Sequence, residues 1–471
     1  MIFNSLTFIC FFIVVHLVYA LPLSWEKRKI HLWLSSYIFY AAWNPPFVLL
    51  LWISTLIDWF AGKNIARTSS RHKKRILLLI SLTTNLGLLG YFKYGTFLLQ
   101  SFVSLLEAVG IHYQPAISNI VLPVGISFYT FQSLSYSLDI YRGKLKPWSK
   151  FTDFAFFVTF FPQLVAGPIV RAADFLPQCR VSRRATSYQM GWGLTLLVLG
   201  LFEKVILADT IMAPVADMVF SNSDLSGTAD AWLGVFAFSG QVFFDFSGYS
   251  LCAIGAALSL GFVLPDNFRF PYAAVGFSDF WRRWHISLSS WLRDYLYIPL
   301  GGNRKGELRT YINLMITMLL GGLWHGAAWT FVAWGGLHGL YLSAERYLVK
   351  HLGDVEFFRK RIAQGILGLL TFILVSITYV FFRAQDFSDA FHLLTLMFST
   401  GELQLLSFSQ SLQVAVTLGL LLMGQWLLRD SSLEALAAAV PPAVRVVLTA
   451  GALVTLSLHT GGDRAFIYFQ F

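Results

Sequence analysis

Apolar residues in this chain do not alternate with polar ones; they form long runs separated by short polar segments. A membrane-spanning α-helix requires roughly 20 mainly apolar residues, whereas the strands of a membrane barrel alternate apolar and polar residues over about 10 positions. Residues 76–80, with the sequence ILLLI, are apolar on every face. The pattern therefore predicts an all-α polytopic membrane protein, with helices over residues 6–23, 76–99, 188–208, 231–263, 362–382, 412–428 and 442–460.

Composition agrees with this class: 56% of the 471 residues are hydrophobic, 13% are charged, and the mean hydropathy is +0.62. No polar stretch is long enough for a folded soluble domain, so the function is expected in the membrane-embedded part. The run at residues 6–23 resembles a secretory signal, because Val18-Tyr19-Ala20 looks like a cleavage site. It lacks a basic segment before the apolar run, and we interpret it as a retained first helix.

The formal net charge of +10 does not indicate a nucleic-acid partner, because the basic residues lie in short segments between apolar runs. Under the positive-inside rule, two basic clusters without acids are expected to be cytoplasmic. The polar part of residues 205–268, a segment without Lys or Arg, is expected outside together with the N-terminus. The clusters are Lys63, Arg67, Arg71, Lys73, Lys74 and Arg75, then Arg142, Lys144, Lys146 and Lys150; the outer loop contains Asp217, Asp224 and Asp230.

Soluble-enzyme motifs are absent from the sequence. The three cysteines, Cys10, Cys179 and Cys252, are scattered, so neither a disulfide framework nor a zinc site is expected. There is no HExxH, P-loop or GxSxG motif. We therefore expect no bound metal and look for chemistry among the few ionisable residues in apolar surroundings.

His325 is the strongest candidate for a catalytic base. It lies in an apolar segment, residues 318–339, between Trp324 and Gly326, and the small residues that follow would let a substrate approach the imidazole. Apolar surroundings favour the neutral ring, which can accept a proton from a hydroxyl. The alternative is a buried histidine that bonds a carbonyl and only locks two helices together. Thirteen residues further on, His338 would face away from His325 in an unbroken helix, so we interpret it as structural.

His285 allows two interpretations. Flanking tryptophans in FWRRWH, residues 280–285, are typical of an anchor at the membrane interface. The residues that follow, Leu292 to Tyr295 and Pro299 to Gly302, instead predict irregular backbone, as do Phe161-Pro162-Gln163 and Ala166-Gly167-Pro168. Irregular backbone at membrane depth is tolerated where it lines a cavity or is buried in protein. A re-entrant, cavity-lining core is the second interpretation.

Two segments carry a resemblance to a known family: FWRRWHISLSSWLRDYLYIPLGG at 280–302 and LLGGLWHGAAWTF at 319–331. They resemble the membrane-bound O-acyltransferase family, in its bacterial branch of alginate O-acetylation proteins and teichoic acid D-alanine transferases. Further matching segments are residues 123–143, 160–171, 244–250, 265–272 and the terminal FIYFQF. The resemblance covers residues 85–471, residues 1–84 are less diagnostic, and residues 1–471 are expected to form one membrane domain.

The resemblance implies an acyltransferase in which His325 is catalytic and His285 is a second functional residue. It also implies about nine to twelve spanning or re-entrant helices around a central tunnel. No bound cofactor is expected; acetyl-CoA or another acyl thioester would be the donor substrate. The expected acceptor is a polysaccharide such as alginate, reached through a periplasmic acetyltransferase partner. The expected location is the bacterial inner membrane, in contact with lipid and with no nucleic acid.

Further residues are expected to bind the donor or the acceptor. The cations of residues 266–309, a segment expected to be cytoplasmic, could hold donor phosphates, and they could equally be topology signals. One departure from the family pattern is Leu251-Cys252, where an acid and a Met are usual. Asp245 could supply polarity in their place, or it could simply cap a helix or pair within the bundle. The candidates are Trp324, Arg282, Arg283, Arg293, Asp294, Asn303 and Asp245, with Arg304 and Lys305 also available for phosphates.

Two alternatives remain open at this stage. The acceptor could be another cell-envelope polymer, such as peptidoglycan, cellulose or teichoic acid. The chain could also be a polymer or lipid transporter, since intramembrane histidines and broken helices occur there too.

Overall fold

The computed structural model describes residues 1–115, 120–222, 227–352, 360–400, 406–459 and 464–467. Asp224 of the predicted outer loop and most of the terminal FIYFQF segment lie outside these ranges. Within them the chain is helical and contains no β-strand, as the apolar runs predicted. The residues form two compact units, Met1–Leu194 with Ala253–Pro265, and Thr195–Cys252 with Asp266–Phe471.

Several of the helices up to residue 175 are too short to cross a membrane, because Pro, Gly and Ser punctuate this part of the chain. Ser5 and Ser70, for example, accept hydrogen bonds from the first turns of the helices that begin at Leu6 and Arg71. The helices are α1 Leu6–Ala20, α2 Trp25–Ala41, α3 Val48–Arg67, α4 Arg71–Leu89, α5 Gly95–Ala108, α6 Ile126–Tyr141, α7 Phe151–Thr159, α8 Phe161–Leu164 and α9 Ala172–Phe175.

The remaining helices include the two longest, Thr228–Ser259 and Trp329–Leu352. They are α10 Ser187–Phe202, α11 Ala213–Phe220, α12 Thr228–Ser259, α13 Phe277–Arg283, α14 Ile286–Leu292, α15 Glu307–His325, α16 Trp329–Leu352, α17 Arg361–Arg383, α18 Phe387–Met397, α19 Phe408–Leu428, α20 Leu433–Ala439 and α21 Pro442–Leu458. Three segments are wound more loosely, as π-helix: Gly90–Tyr94, Glu203–Met212 and Arg293–Tyr297. Such segments occur frequently at functional sites.

Each apolar run predicted from the sequence contains a helix among the described residues, although residues 21–23 and 260–263 are not helical. Among the described residues, five helical stretches are long and apolar enough to span a membrane: Pro45–Arg67, Arg71–Ala108, Thr228–Ser259, Arg361–Arg383 and Phe408–Leu428. The pair α20 and α21, bent by 118°, would add a sixth if it acts as one span. A count of nine to twelve crossings and a central tunnel stay predictions, because they depend on the shorter and broken helices.

Irregular backbone is present at two of the four predicted segments; the prediction was wrong for Phe161-Pro162-Gln163, which forms the short helix α8, and for Leu292 to Tyr295, which continues from α14 into a π-helix. After the short helix α8, residues 165–170 are non-helical and buried. Residues 298–306 after the third π-helical segment are likewise non-helical, and Gly301 and Gly302 have φ values of 122° and 55°. Breaks of this kind leave backbone groups to be satisfied by protein or water rather than lipid.

A buried carboxylate network joins α3, α4 and α6 in the first unit. Asp58, fully buried, accepts hydrogen bonds from Ser81, from Ser137 at 2.9 Å and from Asn85 Nδ2 at 2.9 Å. A buried carboxylate without such donors would be costly. Three donors from two other helices therefore make Asp58 a packing constraint on this unit.

The hairpin of α15 and α16 in the second unit is held together by glycines. A Cβ atom on Gly322 would lie 2.2 Å from the Phe331 carbonyl oxygen, and one on Gly335 would lie 2.2 Å from the Met318 carbonyl oxygen. The two backbones therefore touch at positions where no side chain fits. Small residues allow such close approach between membrane helices, and here they set the position of His325 at the end of α15.

Two neighbouring glycines of α16 give a matched test of this contact. We expect Gly335→Ala to destabilise the protein by at least about 1–3 kcal/mol, because the added methyl group overpacks against fixed backbone. Gly336→Ala should be neutral or slightly stabilising, since its Cβ would meet only a Leu319 methyl group at 3.5 Å and alanine favours the helix. Thermal unfolding of both variants in detergent measures the difference; equal melting temperatures would contradict the close contact.

Candidate active site

His285 lies at a break between two short helices, α13 and α14. Trp284 is extended, and His285 itself adopts a left-handed conformation with φ 43° and ψ 54°. This conformation is uncommon for residues other than Gly, although His adopts it more often than most side chains do, and it costs of order 1–3 kcal/mol. It is held by a neighbouring segment: the Ile286 N–H donates to the Asn267 carbonyl at 2.9 Å, and the Arg269 N–H donates to the Arg283 carbonyl at 2.9 Å.

The Asn267 side chain determines which nitrogen of His285 carries the proton. Its Oδ1 accepts from the Ser287 backbone N–H at 3.3 Å and from the Ser287 hydroxyl at 2.9 Å, and its Nδ2 donates to Ser250 Oγ at 3.1 Å. A backbone N–H can only donate, so this atom is the amide oxygen. His285 Nδ1, 3.1 Å from the same oxygen, must then donate a proton. In the neutral ring Nε2 is the basic nitrogen.

His325 ends α15 at the point where Gly326 turns to extended backbone. A Cβ atom on Gly326 would lie 2.1 Å from the Phe331 ring, so only glycine fits beside that ring. Both histidines are buried, with 0% exposure for His285 and 2% for His325. The two ring centroids are 6.3 Å apart, which brings together two motifs separated by 40 positions in the sequence.

Aromatic side chains enclose the two imidazoles. Trp324 lies 5.0 Å from His325 and 5.7 Å from His285, measured between ring centroids. Phe246 contacts the His285 ring edge-on at 4.6 Å, while Trp334 and Phe382 contact His325 at 5.0 and 5.5 Å. Aromatic walls exclude water and lower the local dielectric, which strengthens electrostatic interactions in the site.

The sequence prediction for His338 assumed one unbroken helix from His325 to His338. Residues 326–328 interrupt that helix, so the assumption does not hold. Its Nε2 lies 3.1 Å from Thr378 Oγ1, and its ring packs against Trp334 at 4.7 Å. Trp334 therefore lies between His338 and His325. The Thr378 hydrogen bond agrees with a structural role for His338, which stays a prediction.

The charged candidates for donor binding either pair with neighbouring groups or are exposed to solvent. Arg283 Nε donates to Asp279 at 2.9 Å and Nη1 to the Arg429 carbonyl at 2.8 Å. Arg293 pairs with its neighbour Asp294 at 2.7 Å, which balances its charge. Arg282, Asn303, Arg304 and Lys305 are exposed. Their binding of donor phosphates stays a prediction.

Asp245 is part of a buried ion cluster. Lys204 pairs with Asp245 and, at 2.9 Å, with Asp209, and Asp245 Oδ2 also accepts the Ile467 N–H at 2.8 Å. The Ile467 contact brings part of the terminal motif to α12, where Phe466 lies 5.7 Å from Phe246. Asp245 thus pairs within the helix bundle, as one of the two sequence interpretations proposed. Leu251, at the departure from the family pattern, is half-buried.

Sequence reasoning missed two residues that contact the histidines, Asn267 and Trp334, and one member of the buried ion cluster, Lys204. Asn267 belongs to the matching segment PDNFRFPY but was not identified as a partner of His285. Trp334 was not distinguished from the many other tryptophans. Lys204 lies one position before the cation-free segment, so its pairing with Asp245 was not visible. The signal for Asn267 was present, since a buried polar residue in such a segment requires a partner.

The arrangement suits proton transfer and nucleophilic attack in a buried, aromatic-lined site. Two buried imidazoles, one with its basic nitrogen assigned, can orient a hydroxyl and accept its proton. Within the described residues, no group of three or more His, Cys, Asp or Glu side chains is arranged to hold a metal ion.

Comparison with known proteins agrees with this chemistry. Residues 72–383 match the model of MBOAT, the membrane-bound O-acyltransferase family. The chain is 41% identical over 421 residues to the probable alginate O-acetylase AlgI of Pseudomonas putida, covering 88% of this chain and 84% of that protein. It is 38% identical over 425 residues to the peptidoglycan O-acetyltransferase of Helicobacter pylori, covering 84% and 79%. Similarity extends to the teichoic acid D-alanyltransferase of Bacillus subtilis, at 26% identity over 289 residues, 59% of this chain and 72% of that protein.

Proposed function

Because the chain belongs to the membrane-bound O-acyltransferase family and is a multi-pass membrane acyltransferase, we propose that it transfers acetyl groups from acetyl-CoA to polysaccharide hydroxyls. The observation that carries the proposal is the pair of buried histidines, His285 and His325. Their ring centroids lie 6.3 Å apart, and both rings contact Trp324. Alginate is the proposed acceptor, in view of the 41% identity to an alginate O-acetylase over most of both chains.

In the proposed mechanism, His325 accepts the proton of the attacking hydroxyl as its oxygen bonds to the thioester carbonyl carbon. The C–S bond then breaks, and the proton passes from His325 to the departing thiolate. His285 could orient the reacting groups or stabilise the oxyanion, and its tautomer favours the first role. With Nδ1–H held by Asn267, its neutral ring has only an acceptor at Nε2. We assign it to orienting the hydroxyl by accepting a hydrogen bond.

The proposal places the enzyme in the bacterial inner membrane, with donor entry from the cytosol. A periplasmic acetyltransferase is the proposed partner that completes transfer to the polymer. Support for the orientation comes from the basic clusters around residues 63–75 and 142–150, which the positive-inside rule assigns to the cytoplasm.

The test uses bacterial membranes that contain the wild-type protein, radiolabelled acetyl-CoA and alginate, with and without the candidate periplasmic partner. We expect label to move from CoA to material in the alginate fraction. Label on isolated peptidoglycan instead of alginate would identify peptidoglycan as the acceptor, the polymer in the name of the Helicobacter relative. Movement of polymer or lipid across the membrane without any loss of label from CoA, also with other thioesters, would refute the acyltransferase proposal.

Removing the support of His285 should weaken transfer without abolishing it. We expect Asn267→Leu to lower the rate about 10-fold or more, because the imidazole loses the bond that fixes its tautomer and orientation. The single variant His285→Gln should lower it at least as far, and the double variant no further, since both changes remove the same oriented nitrogen. Initial rates on folded, purified variants measure this. Losses that add in the double variant would show that Asn267 does not act through His285.

A further inference from the structure

The first unit contains a cavity of about 540 Å³ that has no role in the proposed function. Its lining comes from the start of α2, the loop 144–150 after α6, the start of α7 and the end of the 3₁₀ turn Leu176–Cys179. Binding cavities for small molecules have volumes of roughly 300–1,000 Å³, so this cavity is large enough for a nucleotide or a lipid headgroup. The loop belongs to a segment expected to be cytoplasmic.

The cavity carries an excess of positive charge. Five cations line it against two carboxylates, Glu26 and Asp153. Both carboxylates form ion pairs with lysines of the cavity. Lys29 pairs with Asp153 and lies 3.3 Å from Glu26, and Lys150 pairs with Glu26 at 2.5 Å. Within the described residues, no carboxylate forms an ion pair with the remaining three cations, which are Lys144, Lys146 and Arg180.

The cations are presented by fixed backbone. The loop begins at Gly143, whose φ of 73° suits glycine, and the Lys144 N–H closes the end of α6 by donating to the Asp139 carbonyl at 2.9 Å. Trp148 holds the middle of the loop: its N–H donates to Tyr136 at 3.1 Å and its indole N–H to Asp153 at 2.9 Å. The Arg180 guanidinium lies over the Trp148 ring at 4.6 Å.

We infer that this cavity is a binding site for a phosphate-bearing anion, in which Lys144, Lys146 and Arg180 contact the phosphate oxygens. Charge-assisted bonds from Lys and Arg are the usual contacts of phosphate in proteins, and a held loop loses little freedom on binding. Two sources share this chemistry: the phosphorylated nucleotide of a soluble donor such as CoA, and the headgroup of an anionic phospholipid. The inference does not rest on the proposed acyl transfer, because binding is measured without turnover.

The test compares two charge-matched triple variants of the full chain in detergent or nanodiscs. The cavity variant is Lys144→Gln, Lys146→Gln and Arg180→Gln; the control is Arg71→Gln, Lys73→Gln and Arg75→Gln, three exposed cations of the other cytoplasmic cluster. One probe is adenosine 3′,5′-bisphosphate, measured by calorimetry. The other is phosphatidylglycerol against phosphatidylcholine, measured as lipid retained in native mass spectrometry.

The cavity variant should bind one of the two probes at least about tenfold more weakly than wild type, and the control should not. Loss of nucleotide binding assigns the site to a soluble phosphate donor, and loss of phosphatidylglycerol retention assigns it to a lipid headgroup. Equal binding by both variants, or no binding of either probe by wild type, overturns the inference. If the cavity variant does not fold, amine labelling of wild type decides: the bound probe must slow modification of Lys144 and Lys146, and unchanged labelling overturns the inference.

Discussion

Replacing His325 with glutamine is expected to lower acyl transfer about 10²–10⁴-fold, the usual contribution of a positioned general base. Glutamine keeps a polar side chain of similar length at the end of α15 but cannot accept and return a proton near neutral pH. The imidazole it replaces is buried, between Trp324 and Trp334 at 5.0 Å each. The measurement is the initial rate of label transfer from radiolabelled acetyl-CoA, normalised to folded protein.

His338→Gln is the matched control for this experiment. His338 is equally buried and packs against the same Trp334, at 4.7 Å, but it lies 3.1 Å from Thr378 rather than beside His285. We expect this variant to retain most of the activity. If the two variants lost activity equally while both remained folded, His325 would have a packing role, and wild-type activity in His325→Gln would refute the proposed mechanism directly.

Replacing Lys204 with methionine is expected to destabilise the protein by about 3–5 kcal/mol, the cost of leaving a buried charge without its partner. Lys204 is the cation between Asp209 and Asp245, and both carboxylates are nearly inaccessible, with side-chain exposures of 7% and 2%. Methionine has a similar length but no charge, so the two carboxylates would be left to repel each other in low dielectric. Thermal unfolding in detergent measures the loss.

The same substitution at a surface ion pair controls for the loss of a lysine. Lys350 pairs with Glu307 at 2.6 Å, but both side chains are about half exposed, and exposed pairs contribute little. Lys350→Met should therefore melt as wild type does. Adding Asp209→Asn and Asp245→Asn to Lys204→Met should recover much of the stability, because no uncompensated charge then remains. Equal melting of Lys204→Met and Lys350→Met would show that the buried cluster is dispensable.

Much of the architecture follows from local pattern. Residues 231–263 and 362–382 form α12 and α17 because a long apolar run in lipid must satisfy its own backbone, which a helix does within one segment. The Pro-Gly segments near residues 166 and 299 interrupt helices because proline removes a donor, and near residue 299 Gly301 and Gly302 also adopt positive φ. These effects act within a few residues and are visible in the sequence.

The sequence by itself determined the class of this protein, the helical segments and, through the motifs around His285 and His325, the family and the candidate catalytic residues. Only the tertiary structure decided which groups meet: His285 with Asn267, His325 with Trp334, and Lys204 with Asp245. The physical reason is range. Helix formation depends on neighbours within about four positions, whereas the tautomer of His285 and the charge balance of Asp245 depend on contacts that only packing creates.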